Sequence, residues 1–277
     1  MTWWAVDVRT APATRERVGA WLVARTGQAV EEREDGTLVT VLEDERAADE
    51  LAAALTAIGP GAVETSRRPI EAVDWTTRWR DGLGARRFGR LTVVPSWVEP
   101  PDATGGPVVV LDPESAFGSG EHGSTRAALT LLERHLRHGD RVLDLGSGSG
   151  IIAIAAARLG AARAVGIEND AEANPVARRN AERNGVTGRV EFVEGDAGDL
   201  APLLGPADLL LSNILRTVNT GLLPAITAAL RPEGLAVFSG MEEQEAEEFR
   251  RALEAAGFRT RDETTDAGWW AVAATRP

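Results

Sequence analysis

The chain has 277 residues and a formal net charge of −12. An acidic balance of this size argues against duplex nucleic acid or an anionic membrane as the main partner, because both reward basic patches. The chain has no cysteine and no lysine, which excludes disulfides, thiolate metal sites, Schiff-base chemistry and a Gly-Lys-Ser/Thr phosphate loop; its three histidines offer little from which to build a zinc site.

The N-terminal stretch MTWWAVDVRT has neither the basic start nor the apolar core of a secretory signal, and no apolar run reaches bilayer length. A cytoplasmic protein is therefore expected. Residues 1–66 read as strand, helix, strand, strand, helix, strand. WWAVDVRT is the first strand, and TRERVGAWLVARTG a helix with Val18, Leu22 and Val23 on one side. AVEERE and TLVTVLE flank Asp35-Gly36, a hairpin signal. ERAADELAAALTAIG is a helix stopped at Gly59-Pro60, and AVETSRRP closes the unit. This β-α-β-β-α-β order predicts a small α+β, ferredoxin-like domain.

Residues 67–106 change character. They are rich in tryptophan, arginine, glycine and proline, and Pro100, Pro101 and Gly105-Gly106 mark a break. We read this segment as a linker. Its Trp75, Trp79 and Trp97, with Arg78, Arg80, Arg86 and Arg87, form an amphipathic surface able to dock.

From residue 107 to 277, short apolar runs (RVLDLG, AVGIEND, RVEFVEGD, DLLLSNIL, GLAVFSGM) alternate with helical stretches. Buried parallel strands have this form, so an open βα sheet covered on both faces is expected. The last two runs, FRTRDETT and WWAVAAT, are joined across Asp266-Ala267-Gly268. That connection is too short for a helical crossover, so it predicts an antiparallel hairpin.

The chemistry gathers at strand ends. DLGSGSG follows a strand and opens a helix, a turn where glycines let backbone approach a ligand and the helix N-terminus favours polar groups. Counted from Gly146, Gly148 fits the dinucleotide fingerprint, but Ile151 stands where glycine or alanine is required, so NAD is disfavoured. Glu168 ends the next strand and can accept both ribose hydroxyls. Asp196 ends the third strand and can face an adenine amino group; Ser212 and Asn213 end the fourth, on the same edge. Each also has a plain structural reading: a tight turn, a solvated strand-end acid, a turn-forming asparagine. Upstream, LDPESAFGSGEHGSTRAALTLL brings a second glycine loop around His122 to the same edge, with Ser124 and Thr125 opening its helix. Ser124 can simply cap that helix.

DWTTRWRDGLGARRFG, VVPSW, LDPESAFGSGEHGST, VLDLGSGSGIIAIAAARLGA, RRNAERNGV and LLLSNIL together give a chain that resembles the bacterial ribosomal protein L-eleven methyltransferase family over essentially its whole length. The GxGxG loop is shared by S-adenosylmethionine-dependent methyltransferases generally; the linker pieces and LDPESAFGSGEHGST are specific to this family. The resemblance implies a Rossmann-like, seven-stranded methyltransferase sheet and cofactor contact at Thr125, Gly146, Glu168 and Asn213. It also implies an N-terminal domain that recognises the substrate, a large-subunit ribosomal protein, joined by a linker that repositions it. A monomer is expected. The chain departs from the family pattern at Gly123 and Ser124, where proline and threonine are usual, at Glu168, usually aspartate, and at Arg216, usually a smaller residue.

Methyl transfer to nitrogen needs a neutral amine aimed along the bond to the sulfonium. At pH 7 deprotonation costs about 4.6 kcal/mol for a lysine and about 1.4 kcal/mol for an α-amine near pKa 8. A neighbouring carboxylate would raise that cost, whereas the Asn213 carbonyl can orient an amine without it. Positioning and desolvation are therefore favoured over a dedicated base, with His122 as a candidate proton acceptor. Two other readings remain open: a small-molecule methyltransferase, which needs no separate N-terminal domain, and a non-catalytic cofactor-binding module, which does not need Asn213.

Overall fold

A computed structural model of the protein describes residues 3–33, 35–56, 64–70, 84–101, 105–112, 118 and 120–276. The chain divides into two compact units, Met1–Gly82 and Leu83–Pro277.

The first unit follows the order β1 (Trp3–Arg9), α1 (Pro12–Thr26), β2 (Glu31–Glu32), β3 (Leu38–Leu42), α2 (Glu45–Thr56) and β4 (Glu64–Ile70). Its sheet runs β2-β3-β1-β4 and is antiparallel throughout. That is the ferredoxin-like arrangement predicted by the element order. Val6 and Val8 of β1 meet Val18 and Leu22 of α1 and Leu51 and Leu55 of α2 in one core. Val23, expected on the same side as Val18 and Leu22, is 48% exposed. The reason is helical spacing: four residues return to one face, whereas the fifth turns away from it. At the hairpin Gly36 takes φ 78°, and the Asp35 carboxylate accepts the Thr37 N–H at 3.0 Å. Gly59-Pro60, Trp75, Arg78, Trp79 and Arg80 lie outside the described residues.

The second unit begins with a three-stranded sheet, β5 (Arg86–Phe88), β6 (Leu91–Pro95) and β7 (Val108–Leu111), in which β5 and β6 are antiparallel and β6 and β7 parallel. Residues 86–95 were expected within a linker. They form a hairpin because Phe88, Leu91 and Val93 are apolar enough to join the core of this unit.

Then the βα alternation starts: α3 (Gly123–His135), β8 (Arg141–Leu145), α4 (Ile151–Leu159), β9 (Arg163–Glu168), α5 (Ala173–Arg183), β10 (Val190–Glu194), α6 (Ala197–Leu204), β11 (Ala207–Asn213), α7 (Arg216–Ala229), β12 (Leu230–Glu242), α8 (Ala246–Ala255), β13 (Arg259–Asp266) and β14 (Trp269–Thr275). The seven strands are ordered β10-β9-β8-β11-β12-β14-β13. The first five are parallel and the last two form the antiparallel hairpin. Both faces are covered: Leu209 and Leu211 of β11 enter one core cluster and Leu210 the other. Full burial of each such leucine stabilises the fold by about 1.5–3 kcal/mol. Because β9 and β11 lie on opposite sides of β8, the strand order reverses there, and the crevice for a ligand opens at the carboxyl ends of these strands. Among the described residues no helix is long and apolar enough to cross a membrane.

Candidate active site

The loop between β8 and α4 turns on glycines. Gly146, Gly148 and Gly150 have φ of 69°, 50° and 81°, a region other residues avoid. Space is short as well. A Cβ on Gly146 would lie 2.7 Å from Ile214 Cγ2, and one on Gly150 would lie 2.6 Å from the Phe192 ring. Beneath the loop Asp144 is completely buried, and its Oδ2 accepts the Ala153 N–H at 3.1 Å, tying strand to helix. Its Oδ1 has no partner among the described residues. Burial pushes this carboxyl up to about 7, and the charge on Glu168 adds to the effect.

A cleft of about 330 Å³ opens beside this loop. Gly146, Gly148, Glu168, Asp196 and Asn213 all line it, together with the apolar side chains of Ile167, Ile214, Val218 and Leu222. Five of the predicted site residues thus converge from four strand ends. Glu168 is fastened by two backbone donors: Gly148 N–H at 2.8 Å on Oε2 and Asp170 N–H at 3.0 Å on Oε1. Each carboxylate oxygen can accept more than one hydrogen bond, so ribose hydroxyls can still be received. Asp196 caps α6, its Oδ1 accepting from Gly198 N–H at 2.7 Å and Asp199 N–H at 3.4 Å. The apolar walls suit a purine, the carboxylate a ribose, and the glycine backbone a polar tail. These features fit an adenosyl group.

Thr125 stands elsewhere. It is completely buried in the first turn of α3 and does not line the cleft. Its hydroxyl receives Asn213 Nδ2–H at 3.2 Å and so orients the asparagine. The buried Oδ1 of Asn213 has no partner among the described residues.

A second pocket of about 440 Å³ adjoins the first, and Asn213, Ile214 and Val218 line both. Its walls are His122, Trp269 and Leu215, and among the described residues no carboxylate lines it. The His122 ring lies 4.3 Å from the Trp269 ring, and its Nδ1 shares a hydrogen bond of 2.8 Å with Ser124 Oγ. Burial, reinforced by the charge of Arg126, lowers the His122 pKa and keeps the imidazole neutral at pH 7.

The two glycine loops are joined. Ser149 Oγ donates to Gly118 O at 2.7 Å, and Asn180 Nδ2 donates to both Ser149 O and Asp112 O. On the far side, Arg126 holds the Asp266 carboxylate with Nε and Nη2 and reaches the Glu121 carbonyl. Trp269, Asn180 and Arg126 escaped the sequence reading. Strand alternation in WWAVAAT offered a signal for Trp269, since one of two adjacent tryptophans must face away from the core; Trp270 is the buried one. A polar groove of about 450 Å³ at the opposite sheet edge, which contains the Arg231–Asp208 ion pair, carries none of the predicted site residues.

The model of the ribosomal protein L11 methyltransferase family matches residues 2–277. A ribosomal protein L11 methyltransferase of Pelotomaculum thermopropionicum is 40% identical over 273 residues, 98% of this chain and 83% of the relative. One from Thermus thermophilus is 40% identical over 201 residues, 71% of this chain and 75% of the relative. Among solved structures, a ribosomal protein L11 methylase from Lactobacillus delbrueckii subsp. bulgaricus superposes with a TM-score of 0.63 at 29% identity, covering 70% of this chain and 98% of the other. The glycine loop, the acidic strand ends and the Asn213 edge thus belong to a recognised enzyme class: the chain is a member of the ribosomal protein L11 methyltransferase family.

Proposed function

We propose that this protein methylates amino groups of a large-subunit ribosomal protein, lysine side chains, the N-terminal α-amine, or both. The observation that carries this reading is the buried Oδ1 of Asn213, without a partner among the described residues, where the two pockets meet. A buried acceptor left unmatched costs about 1–3 kcal/mol, so the site is built to receive a donor. Bound in the cleft of Gly146, Gly148, Glu168 and Asp196, S-adenosylmethionine supplies a methyl group made electrophilic by its sulfonium.

The protein's own part is to prepare the amine. Asn213 Oδ1 accepts one amine N–H and thereby aims the nitrogen lone pair. The walls of Ile214, Leu215, Val218 and Trp269 hold the aliphatic stem and strip water from the amine, which lowers its pKa. A carboxylate there would hold the amine charged; an amide carbonyl does not. The neutral His122 at the rim is in the charge state needed to take the proton the amine releases.

Incubation of the purified protein with methyl-labelled S-adenosylmethionine and a ribosomal extract should label one large-subunit protein, on amines. Label on RNA alone would overturn the reading, as would no label. Asn213→Ala should lower kcat by about 100-fold, the scale of a misaimed reactant, while the affinity for S-adenosylhomocysteine stays within about fivefold, a loss of about 1 kcal/mol. Equal losses in both would reduce Asn213 to a cofactor contact.

A further inference from the structure

Asn219 is the fourth residue of α7, and it is completely buried. The residues one and two turns on, Leu223 and Ile226, are apolar, as a core-facing stripe requires. An amide in that stripe is unfavourable unless each of its polar atoms is matched. All of them are. Oδ1 accepts from Ser212 Oγ at 2.6 Å, and Nδ2 donates to Ile214 O at 2.9 Å and to Ser239 O at 3.0 Å.

The three partners surround one residue. Ser212 and Ile214 flank Asn213 in the chain, and Ser239 is paired with Asn213 across β11 and β12. Ser239 Oγ in turn donates to Ser124 O at 2.8 Å, next to the Thr125 whose hydroxyl receives the Asn213 side chain. A single buried amide therefore holds the Asn213 backbone from both sides. Through Ser239 it also holds the helix end that orients the Asn213 side chain. A leucine here would serve packing equally well but would leave Ile214 O, Ser239 O and the Ser212 hydroxyl without this partner.

We infer that Asn219 is a positioning residue for methyl transfer, acting through Asn213 by fixing the aim of its Oδ1. The inference rests on the role proposed for Asn213, and a double-mutant cycle separates the two. Asn219→Leu should lower kcat by roughly 30- to 100-fold, the scale of a displacement near 1 Å. KM for the ribosomal protein and the affinity for S-adenosylhomocysteine should stay within about threefold, near 0.7 kcal/mol. Added to Asn213→Ala, the same change should lower kcat no further, because the group it aims is gone. An unchanged kcat in Asn219→Leu would overturn the inference, and so would an undiminished further loss in the Asn213→Ala background. Full turnover by Asn213→Ala alone would overturn both the reading and the inference. Should Asn219→Leu fail to fold, Ser212→Ala removes one arm of the clamp without adding bulk. It should lower kcat several-fold and show the same non-additivity with Asn213→Ala; full additivity there would overturn the inference.

Discussion

Glu168 anchors the Gly148 and Asp170 backbone N–H groups, and we propose that the same carboxylate also receives the ribose hydroxyls. Its reach, one methylene beyond an aspartate, allows it to touch the glycine loop directly. Glu168→Ala should weaken S-adenosylmethionine binding by about 1.5–3 kcal/mol, the range for hydrogen bonds to a charged group, or roughly 10- to 150-fold by calorimetry. A change under threefold would remove the ribose from Glu168. Asp144 gives a pH signature of opposite character. Its folded pKa is raised to about 7 by burial, whereas an unfolded aspartate titrates near 4. The folded state therefore retains a proton that the unfolded chain has released. The stability this contributes is complete below about pH 4, falls as pH rises and is gone above about pH 7. Asp144→Asn has no charge to bury, so its Tm relative to the parent should climb by about 5 °C between pH 5 and pH 8. A constant difference would show that the carboxyl is ionised in the fold throughout.

At the scale of elements, the N-terminus of α3 is where the site is assembled. Gly123 packs so closely on the C-terminal hairpin that a Cβ would fall 2.5 Å from Asp266 O and 2.6 Å from Trp269 Cδ1. The Trp269 ring fills the space a side chain would need here, and glycine makes room for it. Arg126, one turn along, clamps Asp266 at 2.9 Å through Nε, and this bond holds the Asp266 carboxyl below the usual carboxylate range. Arg86 pairs with Glu121 at 2.5 Å, fastening the loop before the helix. Gly123→Ala must therefore push helix and hairpin apart. It should destabilise the protein by about 1–3 kcal/mol, the range for overpacking, and reduce turnover as well, because Thr125 moves with the helix. Thermal unfolding and kcat measured together would check this; no change in either would mean that the hairpin yields freely.

For the whole molecule, division of labour is the testable matter. Every residue named in the cleft and the acceptor pocket belongs to Leu83–Pro277, while the first unit has a core of its own around Val6, Val8, Leu22 and Leu51. We propose that the first unit recognises the substrate protein. A chain of residues 83–277 should then bind S-adenosylmethionine within about threefold of the full protein, under 1 kcal/mol. It should lose at least about 100-fold in methylation of the intact ribosomal protein, since the target amine is no longer concentrated near the site. Undiminished activity would place recognition in the larger unit.

What the sequence by itself determined was the set of residues that meet at one edge. Parallel strands bring their carboxyl ends together, so a glycine loop after the first, Glu168 after the second, Asp196 after the third and Asn213 after the fourth could be placed on a common cleft from period and turn chemistry alone. The hairpin at Asp266-Ala267-Gly268 was equally legible, because a short connection permits only an antiparallel return. Tertiary structure alone decided how the polar atoms are spent. Asp196 commits Oδ1 to capping α6, Glu168 ties down its own loop, and Thr125 holds Asn213 across 88 residues of chain. Asn219 reads from sequence as an ordinary helix residue and is in fact the centre of a buried clamp. Periodicity and turn signals are written in near neighbours, whereas a hydrogen-bond partner is chosen among groups the fold brings together from far apart, and no local pattern encodes that choice.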